Sequence, residues 1–416
     1  MEGAAGSLFD VDNLPYGVFS RPDEAPRVGV RIGDRVLDLA PVAATDLLEV
    51  AHVFEAGTLN DLLAQGPARW ATVRAWVTAL LLDEAERAVV EPHLVPLEEV
   101  TLHLPFAVGD YVDFYASEHH AANVGRIFRP DEEPLSPNWK HMPVGYHGRA
   151  GSVVPSGTDI VRPLGQRRGA QDGGGPLFGP STRLDVEAEL GFVVGVGTHR
   201  GDRVATGAFS DHTFGVLGLN DWSARDIQAW ESAPLGPFLG KSFATTVSHW
   251  VTPLAALDAA WVDLPGQDGS EAHPAVLDYL AVEQPAGLDI DMEVALNGHV
   301  VSRPPYRTMY WGPAQMLAHL TVNGASLRTG DLWGSGTVSG PAPDQRGSLL
   351  ELSWGWREPY GVGETSRTSL EDGDEVVLRY TAPGTGGGRI ALGEVAGRVV
   401  PASWTGSAQV RGTADR

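Results

Sequence analysis

The sequence contains no cysteine in its 416 residues. That excludes disulfides, thiolate nucleophiles and cysteine-based zinc or iron–sulfur sites. Basic residues are scarce as well, 30 against 53 acidic ones, for a formal net charge of −23. This balance argues against nucleic-acid or anionic-membrane partners, which need basic patches. It leaves an anionic substrate open, because a bound metal inverts the local potential of an acidic site. No run reaches the roughly 18 apolar residues of a membrane span. The first 25 residues hold acids, no lysine and no basic stretch leading into an apolar one, so no secretory leader is expected. A soluble cytoplasmic protein is the expectation. Gly-x-Ser-x-Gly and His-Glu-x-x-His are both missing, which removes the commonest serine hydrolase and zinc protease readings. Gly240-Lys241-Ser242 imitates the end of a phosphate loop, but Leu235 stands where its leading glycine belongs.

A hydrophobic content of 43% and this length suit one large domain plus a smaller one. Residues 28–32 and 35–39 read as a hairpin across Gly33-Asp34. From 44 to 90 the spacing turns helical, with Leu47, Val50 and Val53, then Trp70, Val73, Trp76, Val77 and Leu80. Pro92 and Pro96 break that pattern, and a boundary is expected near 100–106, dividing the chain into 1–105 and 106–416. The second part reads as short strands at 184–194, 213–219, 289–296, 349–354 and 375–380. With few strong helices between them, a mostly antiparallel β architecture is expected. The glycine-rich stretch 165–180 reads as a long surface loop, and residues after about 405 as a loose tail.

The most informative segment is 184–194. Alternate residues of a strand share a face, so Asp185, Glu187 and Glu189 lie opposite Leu184, Val186, Ala188, Leu190, Phe192 and Val194. Two glutamates spaced i,i+2 repel unless a cation or water separates them. The same pattern also fits an amphipathic strand with a wet polar face. Asp221 ends an apolar run, where a helix N-cap would equally explain it, and Asp113 sits in an aromatic segment that does not need an acid. Carboxylates from separate strands suit a hard divalent cation such as Ca²⁺ or Mg²⁺. His119 and His120 follow closely, and a histidine can serve as a general base. Glu351, amid apolar residues, needs a partner if buried and can orient such a base. Arg225 and Gln228, three apart on an expected helix, share a face and with Lys241 can stabilise developing negative charge.

Eight ordered runs then carry a resemblance: NLPYGVFS (13–20), GDYVDFY (109–115), PNW (137–139), PVGYHGRA (143–150), NDWSARDIQ (220–228), PLGPFLGKSF (234–243), GTVSG (336–340) and LELSW (350–354). Together they resemble the fumarylacetoacetase (fumarylacetoacetate hydrolase) family of tyrosine and phenylalanine breakdown. The resemblance spans roughly residues 10 to 402. It implies a mainly β fold with α+β parts: a small SH3-like N-terminal domain and a C-terminal mixed β-roll catalytic domain, in a homodimer. It further implies metal ligation by Asp113, Glu187, Glu189 and Asp221, with Asp221, Lys241 and Thr245 at a further Mg²⁺ position. His120 would be the catalytic histidine, Glu351 its orienting acid, and Arg225, Gln228 and Lys241 the oxyanion stabilisers. Substrate contacts fall on Tyr115, Arg129, Tyr146, Gln228 and Thr337. Ser232 departs from the pattern by standing where a substrate-contacting tyrosine is expected. The implied reaction is metal-dependent cleavage of a small-molecule β-diketo acid, 4-fumarylacetoacetate, to fumarate and acetoacetate. The alternatives are an acylpyruvate hydrolase, hydratase or decarboxylase on the same scaffold, or a metal-stabilised binding protein without turnover.

Overall fold

The computed structural model describes residues 4, 6–46, 49–169, 175–267, 270 and 274–403. The expected tail after 405 and Leu47 lie outside these residues. The architecture is mostly β with a few helices and has two domains.

The hairpin expected near 28–39 forms from Arg27–Ile32 and Arg35–Asp38, closing through Ile32 opposite Arg35 with Gly33 at positive φ. Tyr16–Ser20 pairs with it on one side and with Trp250–Pro253 on the other. The N-terminal strands are therefore continuous with one large sheet. That sheet runs on through Thr213–Asp221, Ala188–Val194, Leu332–Gly334, Tyr111–Phe114 and Gly145–His147. Most pairings are antiparallel, but Leu332–Gly334 and Tyr111–Phe114 run parallel, setting Gly334 opposite Asp113. The helical spacing materialises as Pro67–Leu82, with proline in its first turn and Val73, Val77, Leu80 and Leu81 buried.

A second sheet, built on Asp291–Leu296, Glu375–Pro383 and Val395–Val400, packs behind the first. Tyr380 fastens the two together: its hydroxyl donates to Leu219 O and accepts from Leu219 N, both at 3.2 Å. Its ring fills the space above Gly218, where an added Cβ would lie 2.2 Å from Tyr380 Cε2. Glycine is required there by close approach, not by backbone conformation.

Three local expectations change. Residues 349–354 are not a strand: Leu349–Leu352 is a short helix, begun by the Ser348 hydroxyl accepting from Glu351 N. Residues 165–180 are not simply a loop, since Leu164–Arg167 and Leu177–Pro180 pair as an antiparallel ladder, and 170–174 lie outside the described residues. The 184–194 segment breaks at Val186-Glu187, after Leu184–Asp185 has paired with Ser223–Ala224.

Gly218→Ala is expected to lower stability by about 1–3 kcal/mol through overpacking against Tyr380, read as a drop in melting temperature. An unchanged melting temperature would contradict the tight junction between the sheets.

Candidate active site

Strand ends converge on one buried point. Asp113 comes from Tyr111–Phe114, Glu189 from Ala188–Val194 on the far side of Leu332–Gly334, and Asp221 from the last position of Thr213–Asp221. Glu187 precedes the central strand at the break in the segment. One carboxylate oxygen from each of these four residues lies within 4.8 Å of the others, and all four residues are buried. The wet amphipathic strand is therefore excluded. The N-cap reading of Asp221 fails too, because the next helix, Arg225–Glu231, starts after Ala224. Gly334 makes the convergence possible: a Cβ there would sit 2.7 Å from Asp113 Oδ1 and 2.8 Å from Glu189 Oε2.

The cations near these acids do not balance them. Lys241 Nζ bonds Glu187 and, at 2.9 Å, Asp221 Oδ2. Arg225 holds Asp185 at 2.8 Å through Nε and Glu187 at 2.6 Å through a terminal nitrogen. Asp185 therefore leaves the face it was expected to share, and accepts also from Leu349 N at 2.7 Å. Among the described residues, five buried carboxylates (Asp113, Asp185, Glu187, Glu189 and Asp221) face two cations, Lys241 and Arg225. Asp113 Oδ1 and Glu189 Oε1 are buried without a hydrogen-bond partner.

The electrostatics follow from this geometry. Burial first, then the Asp221 charge, pushes the Asp113 carboxyl up to about 8, although Lys241 opposes. Burial and the neighbouring acids Asp113, Glu187 and Asp221 raise Glu189 well above the ordinary range. Burial would raise Glu187 also, but Arg225 and Lys241 outweigh it and hold that carboxyl low. The orphaned oxygens, all-carboxylate donors and excess negative charge fit a hard divalent cation. The residues that would hold it are the expected four. Thr245 donates to Asp221 Oδ1 at 2.8 Å, and Tyr146 donates to Asp221 Oδ2 at 2.8 Å.

Above the acids opens a cavity of about 700 Å³, with Asp113, Glu187 and Lys241 in its lining. His120 lies on its wall, on the helix Glu118–Phe128, whose N-cap Ser117 accepts from His120 N. Nδ1 of His120 is 2.6 Å from Glu351 Oε2. Glu351 is fixed by Asn123 at 2.9 Å, Ser339 at 3.0 Å and Ser348 at 2.8 Å. Burial alone would raise its pKa, but His120 and these donors hold it below the ordinary value. A base and its orienter thus stand over the carboxylates. His119 does not line the cavity.

Of the expected substrate contacts, Tyr115, Tyr146, Gln228, Ser232 and Thr337 line the cavity with Arg225. Thr337 Oγ1 is buried with no partner. Arg129 does not join them; it lines an adjoining recess and bonds Pro134 O at 3.3 Å. Ser232 turns its hydroxyl back to Gln228 O at 2.5 Å. Several residues escaped sequence reasoning: Arg168 on the cavity wall, Asn123, Ser339 and Ser348 around Glu351, and Tyr111, whose buried hydroxyl has no partner. Ser348-x-x-Glu351 was a legible capping pattern, and Tyr111 and Ser339 lie in the runs GDYVDFY and GTVSG, whereas nothing in the sequence marked Arg168 or Asn123.

The chain matches the families described as Fumarylacetoacetase N-terminal over residues 12–105 and Fumarylacetoacetate (FAA) hydrolase C-terminal over 111–400. It is 45% identical over 416 residues to the fumarylacetoacetase of Rattus norvegicus, covering 96% of this chain and 98% of that one. With the Caenorhabditis elegans fumarylacetoacetase it shares 46% over 413 residues, covering 95% and 97%. Among solved structures, a fumarylacetoacetate hydrolase from psychrophilic Exiguobacterium antarcticum superposes with a TM-score of 0.53 at 16% identity, covering 93% of this chain and 99% of that one.

Between pH 3.8 and about 8 the cation-free folded protein holds a proton at Asp113 that the unfolded chain has lost. Its stability is therefore expected to fall as pH rises through that window. A bound cation keeps the carboxylates ionised and removes this loss. The melting-temperature gap between Ca²⁺- or Mg²⁺-loaded and chelator-treated protein should widen from pH 5 to pH 8; a gap that is constant or narrows contradicts the site.

Proposed function

The chain belongs to the fumarylacetoacetate hydrolase family, and from that premise we propose that it hydrolyses the carbon–carbon bond of 4-fumarylacetoacetate, giving fumarate and acetoacetate. The observation that carries the reading is the His120–Glu351 pair, 2.6 Å apart, with His120 on the wall of the cavity that Asp113 and Glu187 of the four-carboxylate cluster also line.

Asp113, Glu187, Glu189 and Asp221 would hold a divalent cation, Ca²⁺ or Mg²⁺, which when bound would supply Lewis acidity and a template for the diketone. Glu351 accepts a hydrogen bond from the Nδ1–H of His120 and so fixes the tautomer, leaving Nε2 to take a proton from water. The hydroxide so formed attacks the carbonyl beside the scissile bond. Gln228 already accepts from Arg225 at 3.2 Å, so its amide N–H groups remain to donate to the developing oxyanion. Lys241 and Arg225 add positive charge there; a well-placed donor of this kind contributes about 3–4 kcal/mol. When the carbon–carbon bond breaks, its electron pair passes to the acetoacetate fragment, which takes up one proton. Water thus supplies the hydroxyl of fumarate and the hydrogen of acetoacetate. Thr337 and Tyr115 line the space for the substrate.

The reading extends to tyrosine and phenylalanine breakdown, a cytoplasmic setting and a homodimer, all of which rest on family membership. Among the described residues no helix is long and apolar enough to cross a membrane.

His120→Ala is expected to cut kcat for fumarylacetoacetate by about 10²–10⁴-fold, followed by loss of the diketone's ultraviolet absorbance, with bound cation unchanged by elemental analysis. Unaltered turnover would sink the role of His120. A preparation that keeps full activity in chelator would sink that of the cation.

A further inference from the structure

We propose that Arg168 is a specificity-determining residue, the counter-cation for the carboxylate at the end of the substrate's unsaturated acyl arm. The inference rests on the reaction proposed above and names a contact within it.

Three cationic side chains line the cavity, Arg168, Arg225 and Lys241. Two are already committed: Arg225 to Asp185 and Glu187, Lys241 to Glu187 and Asp221. Arg168, among the described residues, has no hydrogen bond or ion pair. Its neighbour Arg167 reaches Asp226 at 3.7 Å and Thr182 at 3.3 Å. Successive residues of extended chain point to opposite sides, which accounts for one arginine meeting Asp226 while the next lines the cavity.

The ladder that carries Arg168 is fastened to the helix Arg225–Glu231. Trp230 donates to Gln166 at 3.2 Å, and Gly165 packs so closely on Ile227 that a Cβ there would lie 2.6 Å from Ile227 Cδ1. Arg168 is thereby held beside the wall formed by that helix. The remaining groups near the mouth are apolar, with Phe128, Ala229, Leu235 and Pro237 in the lining and Leu235 96% exposed. Ser232, on the same helix, spends its hydroxyl on Gln228 O. Among the described residues lining this rim, a charged substrate end meets one uncommitted cation, Arg168.

Burial sets the axis along which the substrate lies. The carboxylate cluster is buried and Arg168 is exposed, so the diketone belongs at the deep end. One substrate carboxylate is a single methylene from the diketone and stays deep. The other lies beyond a rigid trans double bond and extends toward the mouth. An arginine can grip it through two parallel hydrogen bonds.

The test compares wild type with Arg168→Gln on fumarylacetoacetate and on its analogue methyl-esterified at the unsaturated-arm carboxylate. The variant is expected to raise KM for the diacid by roughly tenfold, with kcat within about twofold, and to match wild type on the ester. Arg168→Lys should recover part of the KM. An unchanged KM on the diacid, or an equal loss on diacid and ester, overturns the assignment of Arg168 while leaving the reaction intact. Wild type that fails to cleave the diacid overturns the reaction, and the Arg168 contact with it.

Discussion

Negative charge without enough positive charge is the constraint around which this molecule is built. Each buried ion costs several kcal/mol unless it is paired, yet three strands of one sheet bring Asp113, Glu189 and Asp221 together, with Glu187 beside them. Lys241 and Arg225 offset part of this. The remainder is carried by protons on groups such as Asp113, or by a cation. The same arrangement that weakens the cation-free fold therefore gives a divalent ion its affinity, because binding relieves repulsion already stored in the strands.

The sheet tolerates this by reserving glycine where the carboxylates need room. Gly334 lies opposite Asp113 and leaves space for two carboxylates. Gly336, at positive φ, donates its N–H to Glu189 at 3.0 Å. Tyr380 ties the strand leading to Asp221 to the second sheet, so the carboxylates stand on a doubly supported frame. His120 and Glu351 come from two helices outside this frame. Base and metal ligands thus come from different elements, joined where Asp185 accepts from Leu349 N and Glu187 pairs with Ser348.

Reading by residue chemistry succeeded where a short-range rule governs structure. The Gly33-Asp34 turn, the helix Pro67–Leu82 and the strand Thr213–Asp221 obey turn chemistry and periodicity. It failed at 349–354, where apolar density suggested a strand while Ser348 capped a helical turn. It failed at 165–180 because cross-strand pairing overrides a glycine-rich composition. Ser232 and Arg129 show a third limit: the residue type was visible in the sequence, but the direction of the side chain depends on what lies nearby. Ser232 turns into its own helix, and Arg129 lies in the next recess.

The sequence by itself determined which ligand chemistries were closed and which family the chain resembles. Without cysteine, thiolate ligands were excluded, acids at alternate strand positions offered oxygen ligands for a hard cation, and eight ordered motifs carried the resemblance to the family. Tertiary structure alone decided that four acids spread over more than a hundred positions meet within 4.8 Å. It also decided that Asp185 turns away to Arg225, and that Glu351 rather than water satisfies His120. The reason is physical: periodicity fixes which face a side chain takes, whereas convergence depends on the order and register of strands far apart in the chain.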